Sequence, residues 1–480
     1  MLKRTSRLDT NSSQLLPKKK KQPSCRMPRA LNKPTCHYLA QINNYLIQIN
    51  KKMKTLNKTL AILAIASTSL TACNKDNALQ NDSFDNRSTA AADYSQSSLP
   101  VVTISGDITS SVTWSASNVY EIKGVVTVTN GATLTIPAGT YIKAAVNTPG
   151  VQNGVLVIAK GAKINAQGTD TNPIVFTSRN LLDGNAATVG KPGDFGGLIV
   201  LGNAQINDAA GTRLIEGLAD DPKFYYGSSS SANNAETSGI IRNVRIEYAG
   251  YKLADNIEVN GLTLGGVGSG TTLSKVEVAW GLDDGFEFFG GRVNGSDLVA
   301  FSNDDDQFDF DLGYQGTISN SIAFANKVST HSASSGNSDS NGAEIDNHPS
   351  VFTAVPKTKP TFNNVRIVGT KDETGITAPG FKSGILVRRG AELALVNSKV
   401  TGYKTGLHIN TDATPSLTSV QGSSLFGFTL AATAGYTNLG TNTIAPAAAT
   451  APTFGISSQP FFNESGFTSG LTYPWVKFNY

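Results

Sequence analysis

Two short segments 22 residues apart hold most of the side chains able to do chemistry in this chain. Asp283-Asp284-Gly285-Phe286-Glu287-Phe288 is followed by Asp305-Asp306-Gln307-Phe308-Asp309-Phe310, acid over acid and phenylalanine over phenylalanine. In extended backbone, alternation sends the phenylalanines to one face and the acids to the other. If the copies are successive strands of one sheet, equivalent carboxylates lie about 4.8 Å apart. A third segment, Gly342-Ala343-Glu344-Ile345-Asp346, continues the pattern and sets Glu344 over Asp309 and Asp346 over Asp311. The expected outward-facing ladder is Asp283, Glu287, Asp305, Asp309, Asp311, Glu344 and Asp346. Two carboxylates about 5 Å apart repel by roughly 3 kcal/mol at an effective dielectric near 20. A proton, a basic side chain or a cation must offset that repulsion. Hard oxygen donors, with no thiol or paired histidines nearby, select Ca2+ over zinc. The alternative is a solvated ladder of carboxylates with raised pKa values, neutralised by bulk ions.

Other residues offer weaker chemistry. A polysaccharide lyase needs a base beside a uronate carboxylate and a cation or arginine to neutralise that carboxylate. Asp284, Asp306 or Asp309 would hold the cation, and Arg292, Arg388 or Arg389 would act as base or clamp. The competing reading pairs these arginines with the acidic face. His348 follows Glu344, Asp346 and Asn347 and is a further candidate ligand; His331 and His408 stand apart. Gly265 to Gly270 lacks both the order of a phosphate-binding loop and a following helix, and reads as a turn between strands. Tyr225, Tyr226 and Tyr251 could stack on sugar rings or pack beneath a loop. The chain contains no GxSxG, CxxC or HExxH pattern.

The elements that position these residues are strands. From Val101 onward, short runs of Val, Ile, Leu and Phe are punctuated by Gly, Ser, Thr and Asn, and no long amphipathic helix interrupts them. Units such as residues 124–143 and 154–178 recur, and 196–207 opens another. Later units begin with Asn-Val-x-Ile or a close variant: Asn243-Val244-Arg245-Ile246, Lys275-Val276-Glu277-Val278 and Asn364-Val365-Arg366-Ile367. Val244, Val276, Leu298, Ile322 and Val365 are expected in one register. A coil of about 22 to 24 residues with loop insertions accounts for their spacing. Propeller blades need a longer period, and a sandwich needs none. The predicted fold is an all-β, right-handed parallel β-helix, a three-sheet solenoid.

The N-terminal region has a different character. Residues 1–52 read as an upstream extension. Residues 53–72 read as an export signal, with Lys54 and Lys58 before an apolar stretch too short to span a bilayer. Leu70-Thr71-Ala72-Cys73 resembles a lipobox and makes Cys73 the expected lipidation site. Residues 73–100 are a polar tether, and 101–480 the folded domain. Processing at Cys73 would leave 26 basic residues against 35 acidic ones, a net charge of −9. Such a surface disfavours nucleic acid as a partner. No second cysteine follows Cys73, so no disulfide within the mature chain is expected.

The blocks KGAKINAQGTDTNPIVFTS, GDFGGLIVLGNAQI, SGIIRNVRIEYAG and DDGFEFFGG resemble those of secreted or lipid-anchored proteins of Bacteroidota and related bacteria, whose fold is similar to that of pectin lyases. The resemblance covers roughly residues 101–480 and implies the fold; it supplies no activity. Lys75-Asp76 resembles the signal that sends such lipoproteins to the cell surface. The functional expectation is an outer-membrane lipoprotein, anchored by its lipid and facing outward. It would bind an extracellular glycan or an outer-membrane transporter along one face without catalysis. A calcium-dependent polysaccharide lyase or glycoside hydrolase is the alternative.

Overall fold

The structure is a computed structural model. It describes residues 98–146, 154–185, 187–251, 259–325, 340–374, 381–412, 418–454 and 475–476, together with the backbone of the strands Ala333–Ser334 and Asn337–Ser338. The chain divides into two units, Met1–Asn81 and Asp82–Tyr480, and all described residues belong to the second. Cys73, Lys75-Asp76 and His331 lie outside the described residues.

Among the described residues, twenty-nine strands pair in parallel, those between the two ends with strands one coil before and one coil after, in a solenoid of the right-handed β-helix type. One sheet carries the acids. It runs through Val155–Ile158, Gly197–Leu201, Leu262–Gly265, Phe286–Phe289, Phe308–Asp311, Asn341–Ile345, Ser383–Val387 and Thr405–Ile409. The other two sheets share long strands such as Gly239–Glu247, Thr272–Ala279 and Asn294–Phe301. The first half of each lies in one sheet and the second half in the next.

The corner between those halves explains the Asn-Val-x-Ile motif. Asn243, Lys275, Asp297, Asn320, Asn364 and Asn397 all adopt positive φ, between 49° and 62°. Asn and Asp tolerate this left-handed conformation better than most residues. The Asn of the motif is therefore the bend, and the Val after it is the first inward residue of the next sheet.

Register departs from expectation at one place. Val244, Val276 and Leu298 align as predicted, but Ile322 sits opposite Val299. Ser321 takes the position beside Leu298, accepting its N–H at 3.0 Å and donating to the Ser319 carbonyl at 2.8 Å. Because side chains alternate, this one-residue difference reverses the faces. Ile322 joins an outer apolar cluster, and Ala323 fills the inner core. The sequence pattern favoured an apolar residue beside Leu298, and a hydrogen-bonding hydroxyl took that position instead.

The interior of the solenoid is a continuous apolar column. Beneath the acidic face it is aromatic. Phe286 stacks on Phe308 at 5.1 Å between centroids, and Phe288 on Phe310 at 4.8 Å, as the alternation predicts. Two further apolar clusters cover outer faces. One lies on the acid-bearing sheet, where Ile206, Ile215, Phe224 and Tyr226 from the segment after Leu201 cover Val157, Ile199 and Leu201.

Candidate metal centre on the acidic face

Register places one outward ladder across nine coils: Thr127, Val157, Ile199, Thr263, Glu287, Asp309, Glu344, Leu386 and His408. Three consecutive rungs are acids. One step further along the strands, Asp311 ends its strand, and the Asp346 N–H donates to the Phe310 carbonyl at 2.8 Å.

The expected ladder faces outward, but it is not the solvated row that a bare strand would present. Glu287 is 3% exposed, Glu344 5% and Asp346 4%. Asp309 and Asp311 are half-buried, as are Asp283 and Asp305. Loops remote in sequence account for this burial. The Asn207 N–H donates to the Leu312 carbonyl, and its side-chain amide donates to the carbonyls of Asn347 at 2.7 Å and Pro356 at 3.1 Å. The segment after Leu201 is thereby tied to the loop after Asp346, and the acids lie in a recess between loops and sheet.

Asp284 and Asp306, the second acids of each doublet, have a role that alternation alone did not reveal. Asp284 Oδ1 accepts the Asp306 N–H at 2.8 Å, and Asp306 Oδ1 accepts the Asn341 N–H. Each carboxylate thus caps the backbone of the next coil at a corner. Repetition of the Asp-Asp doublet was the available signal. The neighbouring glycine is required for close approach: a Cβ on Gly285 would lie 2.4 Å from Asn303 Nδ2.

These acids converge in three groups, each with carboxylate oxygens within 4.8 Å of one another. They are Asp283, Asp284 and Asp305; Asp284, Glu287 and Asp309; and Asp306, Asp309 and Glu344. Asp309 belongs to the last two. Burial drives the pKa values of Asp284, Glu287, Asp306 and Asp309 well above the carboxylate range, and repulsion from neighbouring acids adds to the effect. Asp311 is pushed up to about 6, chiefly by burial and then by Asp346.

Two arginines pair with the acids at one end of the ladder. Arg388 donates from Nε to Asp346 Oδ1 at 2.8 Å and from Nη2 to Glu344 Oε1, while Arg389 Nη1 reaches Asp346 Oδ2 at 2.8 Å. Burial works against the Arg388 charge, but Glu344 and Asp346 outweigh it and hold the guanidinium protonated. Arg292 turns elsewhere and donates to the carbonyls of Gly291 and Gly313. Glu287 Oε1 and Asp309 Oδ1, by contrast, are buried oxygens without a hydrogen-bond partner.

That donor set fits a hard cation. Carboxylate oxygens within 4.8 Å of one another, with no sulfur or imidazole among them, are donors of the kind calcium takes. Asp284, Glu287 and Asp309 would hold the ion; the Asn260 amide, 3.4 Å from Glu287 Oε2 and 2.9 Å from Glu216 Oε1, borders the same recess. An ion there would neutralise the carboxylates.

The remaining candidates stand apart from this centre. His348 Nδ1 accepts the N–H groups of Ser350 and Val351 at 3.1 and 3.0 Å, which shapes its own loop. The proposed sugar-stacking tyrosines do not form a platform. Tyr226 is 1% exposed and packs against Phe289 and the Cα of Gly265, so its ring is consumed by packing. The Tyr225 hydroxyl donates to Asp220 at 3.0 Å, and Tyr251 is half-buried. Among the described residues, no ring contact links Tyr225 or Tyr251 to another aromatic.

Residues 106–457 match the pectate-lyase like beta helix domain. The chain belongs to this family. No curated protein and no solved structure matches it. Family membership agrees with the parallel coils and leaves the use of the acidic face to be argued from its own residues.

Proposed function

We propose that this pectate-lyase-like domain is a non-catalytic binding module that uses Ca2+ on its acidic face to hold an extended glycan. The observation that carries the reading is the contrast along one ladder. Glu344 and Asp346 are satisfied by arginine, while Glu287 and Asp309 each keep one buried oxygen without a hydrogen-bond donor. Leaving a buried polar atom unpaired costs about 1–3 kcal/mol, and more when it is charged, so a bound cation would relieve a standing penalty. A lyase would need an arginine or lysine free to take a proton. Arg388 and Arg389 are engaged with acids and Arg292 with carbonyl groups, which favours binding over cleavage.

Affinity electrophoresis of the purified domain in uronate and neutral polysaccharide gels, with calcium or EDTA, tests this reading. The expected result is calcium-dependent retardation in a uronate gel with no unsaturated product in solution. Appearance of unsaturated product would replace binding by lyase activity. Equal mobility with calcium and EDTA in every gel would remove the cation-bridged reading.

The sequence pattern around Cys73 supports a setting for this binding: a lipoprotein of the outer membrane, anchored at Cys73 and facing outward, serving glycan capture or a transporter. Mass spectrometry of membrane-extracted protein should find acylated Cys73 at the N-terminus, and Cys73→Ala should move the domain to the soluble fraction. A mature peptide from before Met53 would overturn the assignment.

A further inference from the structure

The sheet formed by the first halves of the long strands carries a feature separate from the acids. A shallow, open groove of about 520 Å3 lies over three consecutive strands, at residues 271–274, 294–296, Thr317 and Ser319. Its outward side chains form two rows. Thr272 stands beside Asn294, whose Oδ1 accepts the Thr317 N–H at 2.9 Å, and Ser274, Ser296 and Ser319 are paired in register. Leu273, Gly295 and Ile318 alternate with them and point inward. The groove therefore presents hydroxyl and amide groups and no charged side chain, while Leu273, also on its lining, is buried beneath them. On its near side, register places Arg242 beside Ser274, with the guanidinium held by Gln167 at 3.0 Å.

Most of these groups have hydrogen-bonding capacity to spare. Ser319 Oγ donates to the Gly295 carbonyl at 3.3 Å, but the hydroxyls of Thr272, Ser274, Ser296 and Thr317 make no hydrogen bond among the described residues. Each hydroxyl is one donor and two acceptors. Strand spacing sets neighbouring groups about 4.8 Å apart across the sheet, and the pleat sets the two rows about 7 Å apart along it.

We propose that this groove binds a short stretch of uncharged glycan, independently of calcium and of the acidic face. The occupant follows from the lining. A protein partner would need a buried aromatic or arginine anchor pocket, and a nucleic acid or uronate chain would need more cations than Arg242 at the groove's edge, which is already held by Gln167. A neutral polyol matches the lining in charge. It also offers hydroxyls that act as both donor and acceptor toward the serine and threonine hydroxyls.

Isothermal titration of the whole domain in EDTA, which silences the acidic face, separates this site from the calcium-dependent one. Cellohexaose and maltohexaose are the neutral probes, and hexagalacturonate is the charged comparison. At least one neutral hexasaccharide should bind, and hexagalacturonate should not. Ser296→Trp fills the groove and should weaken the neutral ligand at least tenfold. Thr317→Val keeps the shape, removes one hydroxyl, and should weaken it several-fold, up to about tenfold. Both variants should melt with the parent, since these positions are half-exposed. Failure of both neutral probes to bind, or unchanged affinity in a folded Ser296→Trp, would overturn the proposal.

Discussion

The Phe308→Ala variant should lose about 3–5 kcal/mol of folding free energy, the usual result of truncating a buried phenylalanine. Phe308 is fully buried, stacks on Phe286 at 5.1 Å and lies 6.4 Å from Phe310 within its own strand. Its removal leaves a void in the column directly behind Asp309. Strands on either side are fixed by parallel pairing to the coils before and after, so the void cannot collapse. A large drop in melting temperature and denaturant midpoint is therefore expected. Phe308→Leu keeps most of the volume and should retain much of that stability. A Phe308→Ala variant that melts with the parent would mean that the alternation does not put this ring in the core.

Calcium should raise the melting temperature of the domain at pH 8, and EDTA should reverse the rise. At a hundred times Kd, one ion adds about 2.7 kcal/mol. The pH dependence gives this prediction its sign. Burial, reinforced by neighbouring acids, raises the folded-state pKa values of Glu287 and Asp309 above those of the unfolded chain. The folded protein then holds more protons than the unfolded one, beginning near the ordinary carboxylate pKa of about 4. Stability from these groups is fully present below that value and is lost as pH rises through the folded pKa values. Asp311, at about 6, marks one step in the loss. Calcium-free protein should consequently be less stable at pH 8 than at pH 5. Calcium should close the gap, because the ion competes with protons for the same oxygens. Asp309→Asn removes a charge shared by two clusters. It should stabilise the calcium-free protein at pH 8 and reduce its response to calcium. An absent calcium shift combined with a stabilised Asp309→Asn would leave only protonated and solvated acids, and the metal centre would be withdrawn.

Much of this site was legible before any coordinates. Period-2 alternation sorts Phe286 and Phe288 from Glu287, and the 22-residue copy sets Asp309 on Glu287, because strand geometry leaves neighbouring coils only one way to bury both aromatic sets. Glu344 follows despite the intervening insertion, since the same inward–outward order reappears there. The corner acids were harder to read. Asp284 and Asp306 precede their strands, where alternation has no authority, and their task is to accept an N–H from the following coil. The slip at Ile322 has a similar origin: apolarity alone could not distinguish an inward residue from one covering an outer face.

By itself, the sequence determined the coil, the inner aromatic ladder and the direction in which Glu287, Asp309 and Glu344 point. These depend on local backbone periodicity and on burying the apolar face, both written in adjacent residues. Tertiary structure alone decided whether that outward face is open water or a recess, and which acids are neutralised. Those outcomes depend on Asn207 reaching residues 140 or more positions away, on Arg388 returning 42 and 44 positions later, and on desolvation of the oxygens they enclose. Such contacts join segments whose spacing carries no period, so only the folded chain could bring them together.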